Sequence, residues 1–250
     1  MTDDSKTQGK LRHAFVEQGD FEGALRSLDQ CIAEEPRDGL LYRERAHLHL
    51  YLGQTQQARS DFDIMARLAD EIFRTRAGRL HCDAEYNAIG ITYWIEGHRD
   101  LALAFWRHTT TLLFMGRVSY SHAGGGIEAG LHLWFGAAHG RNAEDIDLVR
   151  KFYEKRLAST FWSHSLTSWP GPIVRFFLKQ IDESQLINAA AGSEHNLCKA
   201  HFALAARARE LRRYAAYRKH LKLAAFAGEA KTFYDFYNVF PFFLARFEVE

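Results

Sequence analysis

His195, Cys198 and His201 are residue types that bind transition metals, spaced three apart on one predicted helix, and His81-Cys82 forms a second such cluster. Each step of three residues rotates a helical side chain by roughly 60°, so the outer two diverge by roughly 120° and converge poorly on one ion. No second pair stands at the spacing that would complete a closed tetrahedral set. Among 13 histidines such coincidences are expected, so no metal is expected, although this cluster is the best clue for a competing reading as a metal-dependent enzyme with an unfamiliar all-helical site. Gly124, Gly126 and Ala129 spell GxGxxA, with Asp145 and Asp147 following. A dinucleotide fingerprint needs a strand before it and another ending at the acidic residue. The segment AEDIDLVRKFYEKRL reads instead as an amphipathic helix, which makes the glycines punctuation between helices. Asp61-x-Asp63 and Glu144-Asp145 read as solvated faces or helix-start charges. No GxSxG, HExxH, Walker loop or zinc-deaminase pattern is present, so neither a catalytic residue nor a cofactor is expected.

The run ARARELRRYAAYRKHLK is a further cluster: Arg207, Arg209, Arg212, Arg213 and Arg218 interleave with Tyr214 and Tyr217. Such a composition suits an acidic protein partner, can grip phosphate and stack on bases, or simply faces water. The whole chain offers little to nucleic acid or membrane, because 32 Lys and Arg nearly balance 31 Asp and Glu for a net charge of +1. The imbalance is local. Residues 1–40 carry nine acidic against five basic side chains, while residues 207–222 carry seven basic ones against Glu210 alone. Cys31, Cys82 and Cys198 are widely spaced and odd in number, which fits reduced thiols in the cytoplasm. The opening MTDDSKTQGK lacks a basic and apolar leader, and runs such as LALAFW fall well short of the roughly 20 apolar residues of a membrane span.

The elements that carry these residues are helices. Prolines stand only at 36, 170, 172 and 241, and between them apolar residues recur at three and four positions. Gly19 and Gly53 are 34 residues apart; at the same offset Ala24 falls on Ala58, Leu28 on Phe62 and Cys31 on Met65, while Leu11 on Arg45 and Phe15 on His49 are mismatches. After a ten-residue insertion, Tyr86, Ile89, Gly90, Tyr93, Gly97, Ala102 and Trp106 supply a third copy. Each slot has a physical role. The glycines suit a left-handed residue that ends the first helix. The alanines let two antiparallel helices approach closely, and the large residues one turn later fill the seam. Pro36 stops the second helix of unit one, whereas Asp70 is a weaker stop that allows its helix to run on.

These residues resemble the tetratricopeptide repeat family, with three units at 5–38, 39–68 and 83–114, a polar tail at 1–4 and an insertion at 69–82. Residues 115–250 read as diverged helical repeats and capping helices: a pair at 126–139 and 143–158, a short helix after Pro172, a long pair at 194–226 with Tyr217 where the small alanine should be, and an aromatic segment at 230–249 that closes the stack. Trp169-Pro170, a short helix, IDESQL and a repeat-like pair are also laid out in a way similar to bacterial NlpI-type tetratricopeptide proteins. Those are membrane-anchored lipoprotein adaptors, and the lipid-attachment cysteine is not found near the start here. The resemblance implies an all-α, right-handed superhelical array of antiparallel helix pairs, a solenoid with a groove lined by the first helix of each pair. Mapped onto this chain, the groove residues are Lys6, His13 and Val16, then Arg43, His47, Leu50 and Tyr51, then Asn87, Ile91 and Trp94. Exposed Trp94 and Tyr51 beside Arg43 would be anchors for a protein or peptide. The function so implied is non-catalytic protein binding, as an adaptor, a chaperone of a secreted effector or an immunity protein against a cognate toxin.

Overall fold

In the computed structural model the described residues are 14–74, 83–117, 126–159, 166–227 and 240–249. They are all-helical, with no strand among them. The chain divides into two compact units, residues 1–78 with 229–238, and residues 79–228 with 239–250.

The first unit holds α1, described from residue 14 to 17, α2 (Phe21–Glu34), α3 (Gly39–Tyr51) and α4 (Thr55–Arg74). Asp20 caps α2 by accepting from the Gly23 N–H at 2.8 Å, and Asp38 caps α3 by accepting from Leu40 at 2.9 Å, each satisfying an amide that the helix leaves open. Helix α4 runs through Asp70 to Arg74 without stopping. Ala24, Leu28, Ala58 and Phe62 are fully buried, as close approach and seam filling require. The two positions that break the repeat pattern have an electrostatic explanation. Arg45 donates to Asp61 through two nitrogens at 2.9 and 2.6 Å and to Asp29 at 2.7 Å, and His49 lies 3.8 Å from Asp61. Asp61 is therefore not a solvated helix face but a buried carboxylate, 3% exposed, paired with a guanidinium that its hydrogen bond holds above the usual range despite burial.

The second unit contains α5 (Asp83–Ile95), α6 (Arg99–Met115), α7 (Ile127–Gly140), α8 (Ala143–Ala158), α9 (Gly171–Phe177), α10 (Glu183–Ala190), α11 (Glu194–Glu210), α12 (Tyr214–Ala227) and α13 (Phe240–Val249). Ala102 and Trp106 are fully buried. A Cβ on Gly90 would sit 2.2 Å from the Trp106 indole nitrogen, so the fit of α5 to α6 depends on the absent side chain. Helix α7 is buried almost all round, from Ala129 through Ala138, as its apolar sequence demands, and packs against α6, α8 and α11. Asp145, near the start of α8, accepts from Arg107 at 2.5 and 2.8 Å. It too is buried rather than solvated, while Glu144 beside it is exposed. Helix α13 packs on α11 and α12 and also reaches α5, so it does more than close an end. None of the described helices is long and apolar enough to cross a membrane.

Candidate functional site

The residues mapped to the groove fall in both units and are mostly internal. Lys6 and His13 lie outside the described residues, and Val16 is buried. In the first unit His47 and Leu50 are buried on α3, while Arg43 and Tyr51 are half-buried, the Tyr51 ring 4.8 Å from that of Phe21. Burial, with the neighbouring Arg43 charge, holds the His47 imidazole down at about 3, so it is neutral at ordinary pH. In the second unit Asn87, Ile91 and Trp94 are all buried on α5. The expected exposed Trp94 is thus corrected: only 1% of it is accessible, because α13 covers it.

That covering is specific. Glu248 of α13 accepts from the Trp94 indole N–H at 2.8 Å and from the Tyr217 hydroxyl at 3.0 Å. His139 and Arg99 each approach the same carboxylate at 3.6 Å, and the Arg99 guanidinium lies over the Trp94 ring at 5.0 Å. His139 is oriented by its neighbours. Its Nδ1 is 2.9 Å from the Phe135 carbonyl, which can only accept, and its Nε2 is 2.9 Å from the Tyr217 hydroxyl. Burial alone would push the Glu248 carboxyl up; the His139 imidazole 3.6 Å away, together with the hydrogen bonds from Trp94 and Tyr217, overcomes it and holds the group at about 2. Four separate helices, α5, α6, α7 and α12, therefore build one socket for a carboxylate on a helix. Tyr217 stands at a slot where the pattern calls for alanine, and its length is what lets it reach His139 and Glu248.

Beside the socket lies a recess of about 200 Å³ between the turn joining α7 to α8 and the turn joining α11 to α12, lined by Arg141, Arg209, Arg212, Tyr214, Glu210 and His139 among others. Both turns are unusual. Arg141 has φ 56° and Arg212 φ 59°, and Lys179, after α9, has φ 59°. The turns of the first three pairs use Gly19, Gly53 and Gly97 at φ 75°, 74° and 83° for the same conformation, which costs a residue with a Cβ roughly 1–2 kcal/mol. Arg209 stacks over Tyr214 and Tyr217 at 5.1 and 5.6 Å. Of the basic run, Arg207 is a packing element: it pairs with Glu210 at 2.5 Å, which also accepts from the Trp134 indole at 2.9 Å. Arg212, Arg213 and Arg218 are exposed.

No protein-family model matches the chain, and no curated protein matches it.

The remaining sequence candidates are scattered. Cys198 is fully buried, its thiol pushed up to about 12 by burial. His201 stacks instead against His220 of α12, with the two Nδ1 atoms 3.2 Å apart, and burial with the His220 charge lowers it to about 4. His195 is half-buried. Among the described residues no group of three or more His, Cys, Asp or Glu is placed to hold a metal ion; His81 and Cys82 lie outside them, as does Gly124. Gly126 and Ala129 open a helix, and Asp145 and Asp147 lie on the next one, so a strand-based dinucleotide site has no place there. Arg141, His139 and Glu248 were missed by sequence reasoning. The only signal for Arg141 is its position before Asn142, which caps α8 by accepting from Glu144 and Asp145 at 3.1 and 3.2 Å.

Proposed function

We propose that the chain is a non-catalytic, protein-binding scaffold whose units are built of tetratricopeptide-type helix pairs. Equivalent burial of Ala24, Ala58 and Ala102, and of Leu28, Phe62 and Trp106, supports the repeat reading. The observation that carries the binding reading is α13 itself. An apolar helix with Pro241, Phe242, Phe243 and Leu244 buried is held against α5, α11 and α12 by a socket that reads one carboxylate, which is helix-in-groove recognition performed within the chain. A surface that already grips a helix this way suits holding a segment of a partner protein, as an immunity protein does with a toxin or a chaperone with a secreted effector. An adaptor role uses the same surface.

The test is co-expression with the product of the adjacent reading frame, followed by size-exclusion chromatography and titration calorimetry. A stoichiometric complex with submicromolar affinity, about −8 kcal/mol or better, is the expected result. Separate elution and no heat of binding would remove the immunity and chaperone roles. A tagged chain that also recovers no stoichiometric protein from its own cells after cross-linking would remove the scaffold reading itself.

A further inference from the structure

Arginine at the left-handed turn of a helix pair is a poor choice for the backbone, since glycine takes that conformation freely. Arg141 and Arg212 both occupy such turns, and both project into the environment of one recess with Arg209. Three guanidinium groups there face a single carboxylate, Glu210. That carboxylate is already committed, to Arg207 at 2.5 Å and to Trp134 at 2.9 Å. His139 is committed too, to Phe135 and Tyr217. The Arg209 Nε is buried and has no hydrogen-bond partner, whereas a buried charged donor is normally satisfied. The side chains of Arg141 and Arg212 make no ion pair or hydrogen bond among the described residues. The recess thus gathers positive charge that the described residues do not neutralise.

From this we infer that the recess is a site for a carboxylate of an acidic protein segment, a reading that rests on the protein-binding function above and names the chemistry of its partner. Guanidinium forks match carboxylate oxygens in pairs, and a volume of about 200 Å³ has room for the end of a Glu or Asp side chain. Nucleic acid fits less well. It needs a basic track that follows successive phosphates, and the edge beyond the recess is interrupted by exposed Glu144 and by Asp182 and Glu183, which line the next depression together with Lys179.

The probe is a fluorescein-labelled deca-glutamate peptide, with deca-glutamine and a labelled deca-thymidine oligonucleotide beside it, followed by anisotropy at about 20 mM salt, where charges are weakly screened. The variants are Arg209→Gln, and Arg141→Gly combined with Arg212→Gly. Glycine suits both turns, so the double variant keeps its fold, which circular dichroism checks. Deca-glutamate is expected to bind the unaltered chain, to weaken at least about tenfold in each recess variant, and to change less than about twofold in Arg218→Gln, which lies off the recess. Absence of deca-glutamate binding, or equal loss in Arg218→Gln, overturns the site. Tighter binding of the oligonucleotide through the same arginines overturns the carboxylate assignment in favour of phosphate. A co-purified partner that binds the double variant as well as the unaltered chain refutes the recess and leaves protein binding standing; deca-glutamate bound at the recess with no partner complex does the reverse.

Discussion

Gly97 with Ala102 and Arg212 with Tyr217 occupy the same two slots, five residues apart, in the third helix pair and the last. The first couple does what packing alone requires: a free left-handed turn at φ 83° and a fully buried small side chain where two helices meet. The second accepts a strained turn at φ 59° and places a phenol where alanine would fit, and in return sets a cation at a recess and a hydroxyl at 3.0 Å from Glu248. Where a position departs from the residue that its backbone prefers, the departure marks what the position touches.

The largest effect expected from exchanging these residues is at Tyr217. Tyr217→Ala restores the small residue of the early pairs, yet it should destabilise the second unit by about 3–5 kcal/mol, because it opens a cavity and strips His139 and Glu248 of a partner; chemical denaturation measures it. Glu248→Ala comes next, at roughly 1–3 kcal/mol, since it leaves the Trp94 and Tyr217 donors buried without their acceptor. The same contact has a pH signature. The Glu248 carboxyl titrates at about 2 instead of 4.5, so the unfolded chain takes up the proton first, and the stabilisation present above about pH 4.5 fades as pH falls towards 2. Tryptophan emission should follow that loss, and a signal flat between those limits would contradict the socket. Gly97→Arg, which imports the late turn into the third pair, should cost about 1–2 kcal/mol. The smallest effect is the reverse exchange: Arg212→Gly relieves the turn but loosens the unfolded chain, leaving stability within about 1 kcal/mol of the original. A large loss there would mean that Arg212 packs in a way its exposure does not suggest.

The pattern of small and large residues made the early pairs legible, because Ala24, Ala58 and Ala102 sit where helix packing leaves no alternative. The turns at Gly19, Gly53 and Gly97 were legible for the same reason, since glycine announces a left-handed residue and arginine does not. Arg141 and Arg212 were therefore invisible as turn residues, although Arg212 was visible as charge. The socket was illegible on different grounds: Trp94 and Glu248 are 154 residues apart, and nothing local to either reports the other. The repeat register placed Trp94 at an exposed groove position, and that register carries no information about a later helix that comes to cover it. Asp61 was misread because a carboxylate on a helix ordinarily faces water, and only the position of Arg45 overrules that; Asp145 is the helix-start charge expected, but its burial against Arg107 left no local trace.

Helix α7 has a consequence for how the chain must be made. It offers no face to water, and part of its clothing arrives late: Trp134 bonds to Glu210, 76 residues further on, and Phe135 packs on Phe202 at 4.6 Å. At about 5–20 residues per second of synthesis, a nascent chain carries this greasy rod half-dressed for roughly 4 to 15 seconds. Translation that stalls in that interval hands the cell's quality-control machinery a sticky fragment, and any truncation placed before α11 inherits the same fault permanently.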